Sequence, residues 1–207
     1  MTPDESVGAI RWVSDKRLLF STQTAYGTLA SPSPTGKIFA VNYDGSKQFV
    51  VQAPGQVTGR SGFSLNGVVD VLPDDDKHIL VMTNGQGRGQ QLEMVNVYRQ
   101  RWRVLEKSPF DGGGMYTDEN NVPRFAFKLD SKTNTTQYAY RPVAEGDWVD
   151  FESPFKGDIT PLKISADGKD ALMSASDAGT FGIIRMDMDT REFEHVLYHK
   201  RVPANSI

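Results

Sequence analysis

The chain has no cysteine among its 207 residues, which excludes disulfides and thiolate metal sites. Its three histidines, His78, His195 and His199, leave little imidazole for catalysis or metal binding. Long apolar runs are missing too. HILVM, from His78 to Met82, is far short of the roughly 20 residues that a membrane helix needs. The first residues, MTPDESVGAI, lack the basic start and apolar stretch of a signal peptide. Charge of one sign is scarce: 23 basic and 26 acidic residues are intermixed, for a net charge of −3. RQRWR, Arg99 to Arg103, is the densest basic cluster and reads as a solvated hairpin turn, so no phosphate-binding stripe exists. Neither nucleic acid nor membrane is an expected partner. A chain without cysteine fits either the cytoplasm or the periplasm of a bacterium.

What is present is a repeat. Hydrophobic residues make up 38% of the chain, which suits thin, half-buried sheets better than one large core. Nineteen Gly and eleven Pro supply many turns. A turn followed by a hydrophobic strand recurs about every 45 residues, as VSDKRLLF, LPDDDKHILVM, YTDENNVPRFAF and ISADGKDALM. A further hairpin follows each copy: IFAVNYDGSKQFVV, LEMVNVYRQRWRVL, YAYRPVAEGDWVDF and GIIRMDMDTREFEHVL. A period of that length made only of short strands marks propeller blades.

The predicted fold is therefore all-β: a β-propeller with about four blades of four antiparallel strands. A single propeller subdomain spans 1–207, with blades over 10–51, 68–106, 115–152 and 159–198. The Gly-, Ser-, Gln- and Thr-rich stretch 52–67 reads as the longest loop between blades. Asp44-Gly45 is a two-residue hairpin signal, and Val69, Val71, Ile79 and Val81 alternate with polar neighbours as in half-buried strands. Phe49, Trp102, Trp148 and Phe193 fall at nearly the same place in each outer strand, where a flat ring fills the space between sheets. Four blades of a larger ring would leave open sheet edges, from which edge-to-edge self-association follows.

Each motif with a chemical reading also has a plainer one. Gly62-Phe63-Ser64-Leu65-Asn66 approaches a nucleophile elbow but lacks its last glycine and a following helix, so Ser64 reads as a loop serine. His195 and His199 have the spacing of a helical zinc pair. On a strand that spacing spans about 13 Å, too far for one ion. Gly85-Gln86-Gly87-Arg88-Gly89 joins one strand to another and lacks the helix of a phosphate loop. Asp74-Asp75-Asp76 and the Asp187, Asp189 pair lack a calcium frame and coincide with turns. Asn134-Thr135-Thr136 matches a glycosylation sequon by chance. No catalytic, cofactor or metal residue is assigned.

In their order, the phrases WVSDKRLLF, IFAVNYDGS, VLPDDDKHILV, VNVYR, ITPLKISADGKDALMSASD and IIRMDMDTRE resemble the N-terminal propeller of prolyl oligopeptidase-like serine peptidases. The branch that they resemble is that of the acylaminoacyl and dipeptidyl peptidases, over residues 10–200. That resemblance implies a propeller of about seven blades capping an α/β-hydrolase domain and screening peptide substrates. It carries no triad residue onto these positions, because no nucleophile elbow, acid and histidine series occurs. The expected role is the non-catalytic, gating part of a peptidase, with the hydrolase domain and peptides as partners. A free-standing TolB-like interaction module is the alternative.

Overall fold

The computed structural model describes residues 5–25, 31–51, 64–85, 88–177 and 180–197. They form sixteen strands. The first sheet holds β1 (Glu5–Ser14), β2 (Arg17–Thr24), β3 (Ser33–Asn42) and β4 (Phe49–Val51). The second holds β5 (Ser64–Asp70), β6 (His78–Gly85), β7 (Gly89–Asn96) and β8 (Trp102–Lys107). β9 (Gly114–Thr117), β10 (Pro123–Asp130), β11 (Thr135–Tyr140) and β12 (Val149–Phe151) make the third. β13 (Ile159–Ile164), β14 (Asp170–Asp177), β15 (Thr180–Asp187) and β16 (Phe193–Leu197) make the fourth. In every sheet spatial order follows chain order and each pair is antiparallel. Four consecutive four-stranded meanders, with no helix among the described residues, are propeller blades. β5 begins inside the stretch 52–67 that the sequence reads as loop, and the rest of that loop lies outside the described residues.

The chain divides into two compact units between Lys107 and Ser108, each holding two sheets. In the first unit, Val13, Leu19, Ala40 and Val51 of one sheet share a core with Ile79, Val81, Val95 and Val97 of the next. In the second, Phe125, Tyr138 and Tyr140 meet Ile159, Met173, Ile184 and Met186. The middle of β6 departs from simple alternation, since Ile79, Leu80 and Val81 are all buried. A strand covered on both faces reads as a continuous apolar run.

The outer hairpins explain the aromatic register. Lys47, Gln100 and Arg191 adopt left-handed backbone angles in the turns before β4, β8 and β16. The chain then enters the outer strand two residues later, at Phe49, Trp102 and Phe193. All three rings pack on the cores. In the third sheet no positive angle precedes the strand, and β12 starts at Val149, one residue after Trp148. Trp148 instead lies beneath the Arg141 guanidinium, 4.3 Å from the ring centroid. The Asp44-Gly45 turn is also longer than two residues. β3 ends at Asn42 and β4 begins at Phe49, with the Asn42 N–H donating to the Ser46 carbonyl at 2.9 Å.

Within each unit an arginine fastens one sheet to the next. Arg17, at the start of β2, is fully buried. Its Nε donates to the Val97 carbonyl, in the turn after β7 of the second sheet, at 2.9 Å, and its Nη1 to Asn42 and the Lys47 carbonyl. The rings of Phe49 and Tyr98 flank it at 5.1 and 4.8 Å. Burial pushes its pKa below the usual value, against the nearby Tyr98. Arg124, in β10, donates to the Arg141 and Pro142 carbonyls at 3.0 and 2.7 Å, to the Gly168 carbonyl in the turn between β13 and β14 at 3.5 Å and to the Asp118 carboxylate at 3.3 Å.

Candidate functional site

The second unit contains a cleft of about 1030 Å³ between the outer part of the third sheet and the start of β16. Its origin is the early end of β12. That strand pairs with β11 only at Tyr138–Phe151, Ala139–Asp150 and Tyr140–Val149. Continued in register, it would set Pro154, which has no N–H, opposite Thr135. The chain turns instead, with the Phe155 N–H donating to Ser153 Oγ at 3.2 Å. It then docks on β14, where the Gly157 N–H donates to the Ser176 carbonyl at 3.0 Å and the Ser176 N–H to that of Asp158 at 3.2 Å. The close approach requires glycine, because a Cβ at 157 would stand 2.6 Å from the Ser176 oxygen.

Two consequences follow for the cleft. Thr135, Thr136 and Gln137 pair with Asp130, Leu129 and Lys128 of β10 on one side, while no strand pairs with their other side among the described residues. The floor is aromatic: the Phe155 ring lies 5.8 Å from Phe193, edge-on, and Phe151 lies 6.4 Å from Phe193. Phe155 also meets the His195 ring edge-on at 5.8 Å.

The wall toward the fourth sheet is polar. Asp158 accepts from Thr136 Oγ1 at 2.6 Å and from the Tyr138 hydroxyl at 3.2 Å, and that hydroxyl in turn accepts the Ile159 N–H at 3.1 Å. Burial raises the pKa of Tyr138, and the charge of Asp158 adds to the rise. Tyr116 is raised for the same two reasons. Both phenols therefore stay protonated near neutral pH, as donors rather than bases. Asp150, Glu152 and Asp158 face Lys156 and Arg191 around the cleft, one acid in excess. Chemically, it offers an open strand edge, a surface for an apolar side chain and no strong field of one sign.

The motifs singled out in the sequence stand elsewhere, apart from the His195 ring against Phe155 and one segment at the start of β11. Ser64 opens β5, and the Gly62-Phe63 before it lies outside the described residues. His78 Nδ1 stands 2.8 Å from the Asp75 carboxylate and its Nε2 3.2 Å from the Asn96 amide, so neither nitrogen is left for a nucleophile. Asp75 is partly buried, which would raise its pKa; the N–H groups of Lys77 and His78 and the His78 ring nonetheless hold it below the carboxylate norm. Asp187 is likewise lowered, first by the Thr190 N–H and also by that of Asp189. These acids cap turns. His195 lies in β16, whereas His199 and the Gln86-Gly87 pair lie outside the described residues. Gln100 of the RQRWR cluster shapes the turn before β8. Among the described residues no three His, Asp or Glu side chains stand close enough to hold a metal ion.

That segment is Asn134-Thr135-Thr136, read as a chance sequon, which lines the cleft. Sequence reasoning missed Phe155 and Asp158 because they fall between blades. Pro154 and Gly157 were the only local signals there. It also missed Arg17 and Arg124. The signal was available: aligning the four copies places Arg17, His78, Arg124 and Asp170 at one position, polar residues opening hydrophobic strands.

No protein-family model matches the sequence. Nor does any curated protein. Solved structures do resemble the chain. TolB from Acinetobacter baumannii is 14% identical, with 93% of this chain and 44% of that one covered and a TM-score of 0.46. A puromycin hydrolase mutant complexed with PGG is 13% identical, with 94% and 29% covered and a TM-score of 0.48. The chain spans less than half the length of either. The blade architecture itself stands on the four meanders.

Proposed function

We propose that this chain is the non-catalytic propeller portion of a serine peptidase similar to the prolyl oligopeptidases, recognising or gating peptides for an α/β-hydrolase domain outside these residues. The observation that carries the reading is the cleft of the second unit, whose open strand edge and aromatic floor suit a peptide and whose carboxylate is held by two hydroxyls. The ordered blade phrases support the choice of parent enzyme. The decisive test is the coding sequence after Ile207. A G-x-S-x-G elbow followed by an acid and a histidine is the expected result. A stop codon there overturns the peptidase reading and leaves an interaction module. Purified alone, the chain should show no serine-dependent turnover of an aminoacyl ester.

A further inference from the structure

We infer that the cleft binds an extended peptide by strand addition to Thr135–Gln137, with one apolar side chain of the peptide resting on Phe155 and Phe193. The inference deepens the peptide-recognition reading above and rests on it for the class of ligand.

The backbone makes the first argument. Alternate residues of a strand turn N–H and C=O to each side. The Arg141 N–H to Arg124 carbonyl bond sets Thr135 and Gln137 toward β10 and Thr136 away from it, where its N–H and C=O meet no strand among the described residues. These residues line a cleft wide enough to hold a ligand. Only another main chain supplies donors and acceptors at matching spacing, which is the basis of β-augmentation. An incoming segment would take the line that β12 abandons at Phe151, so the sheet gains no new geometry.

The floor makes the second. Phe155 and Phe193 are half-buried rings in edge-on contact, positioned by the Ser153 turn and by the left-handed Arg191. Side chains of an added strand alternate between faces, so one of them points onto these rings. Charge makes the third. With Asp150, Glu152 and Asp158 set against Lys156 and Arg191, the lining carries one acid in excess, which disfavours nucleic acid and leaves shape and main-chain pairing to select. Three residues of edge are short, so affinity should be modest, with a Kd of about 10 to 500 μM.

The test uses the full chain and a fluorescein-labelled peptide, acetyl-Ser-Val-Thr-Phe-Thr-Val-amide. Its partner is the same peptide N-methylated at alternate residues, in both phases. Fluorescence anisotropy should show the parent peptide binding and at least one methylated phase weakened about tenfold or more, the loss of two main-chain bonds. Hydrogen exchange should slow at the Thr136 amide when the parent peptide binds. Phe155→Ala should weaken it about tenfold with the exchange protection still centred on that edge. Equal binding of all three peptides overturns the inference, as does no binding up to about 1 mM. Because the peptides are compared on the unchanged protein, a misfolded variant does not blunt the result. A stop codon after Ile207 would remove the parent enzyme without touching this measurement, and indifference to N-methylation would remove strand addition without touching the enzyme.

Discussion

In the first unit Arg17 is buried among carbonyls, an amide and two aromatic rings, with no carboxylate partner among the described residues. In the second unit Arg124 does the same fastening beside Asp118, whose side chain is itself 7% exposed. One position of the repeat thus meets two electrostatic settings. Where charge meets dipoles and rings, losing the arginine strands several neutral acceptors. Where charge meets charge, losing it strands a carboxylate, and an uncompensated buried ion costs more than an unpaired carbonyl.

Arg124→Ala should therefore be the most damaging single change, costing about 3 to 5 kcal/mol. Arg17→Ala should cost less, about 2 to 3 kcal/mol, for the carbonyls of Val97 and Lys47 left without their donor. Urea unfolding of the two variants measures both. The control is Arg124→Ala with Asp118→Asn. The amide keeps an acceptor for the Asn120 and Val122 N–H groups that Asp118 now caps, while removing the stranded charge. Partial recovery in the double variant supports the comparison. A larger loss for Arg17→Ala, or no recovery, breaks it.

The cores differ as well. That of the first unit is mostly Val, Ile and Ala, stiff side chains with few alternative rotamers. The second relies on Met173, Met186, Met188 and large rings. Methionine re-packs readily, whereas a β-branched core transmits added volume as strain. Val81→Leu, at a fully buried site, should destabilise by about 1 to 3 kcal/mol. Met173→Leu, equally buried, should cost under about 1.5 kcal/mol. Equal losses would show that the two cores are equally rigid, and a reversed order that the methionine-rich core is the stiffer.

Much of this was legible before any coordinates. The periodic phrases announced sheets, because a strand's side-chain alternation and its turn residues are local signals. They reached as far as Phe49, Trp102 and Phe193, each explained by the left-handed turn residue two positions earlier, but not Trp148, which lies just before its outer strand. The same local logic failed where tertiary partners decide. Arg17 drew no reading of its own, since nothing in VSDKRLLF says that a carbonyl 80 positions later will accept from it. The cleft was invisible for a related reason. It exists because β12 stops after three residues, and only the register against β11 shows what that leaves uncovered. Pro154 hinted at the stop but not at the opening.

The smallest expected effect tests whether the units differ in their turns as they do in their fastenings. Asp44 and Asp75 cap turns in the first unit, Asp167 and Asp187 in the second, and all four have lowered pKa values. The leading cause is the Ser46 hydroxyl for Asp44, the Ser165 hydroxyl for Asp167 and the Thr190 N–H for Asp187, while in Asp75 hydrogen bonds outweigh burial. A carboxyl that is more acidic when folded contributes stability above its unfolded pKa of about 3.9, and that contribution disappears as pH falls through the lower folded value. Acid should thus weaken both units together below about pH 4. Asn96 shows how to isolate the effect. Its side-chain oxygen accepts from the Tyr98 and Arg99 N–H groups in the turn before β8, as that of Asp187 does from Asp189 and Thr190 in the turn before β16. Asp187→Asn should keep those bonds at neutral pH and flatten part of the acid limb of the stability curve. If the variant instead loses stability at pH 7 and titrates like the parent, the charge of Asp187 serves something other than its turn.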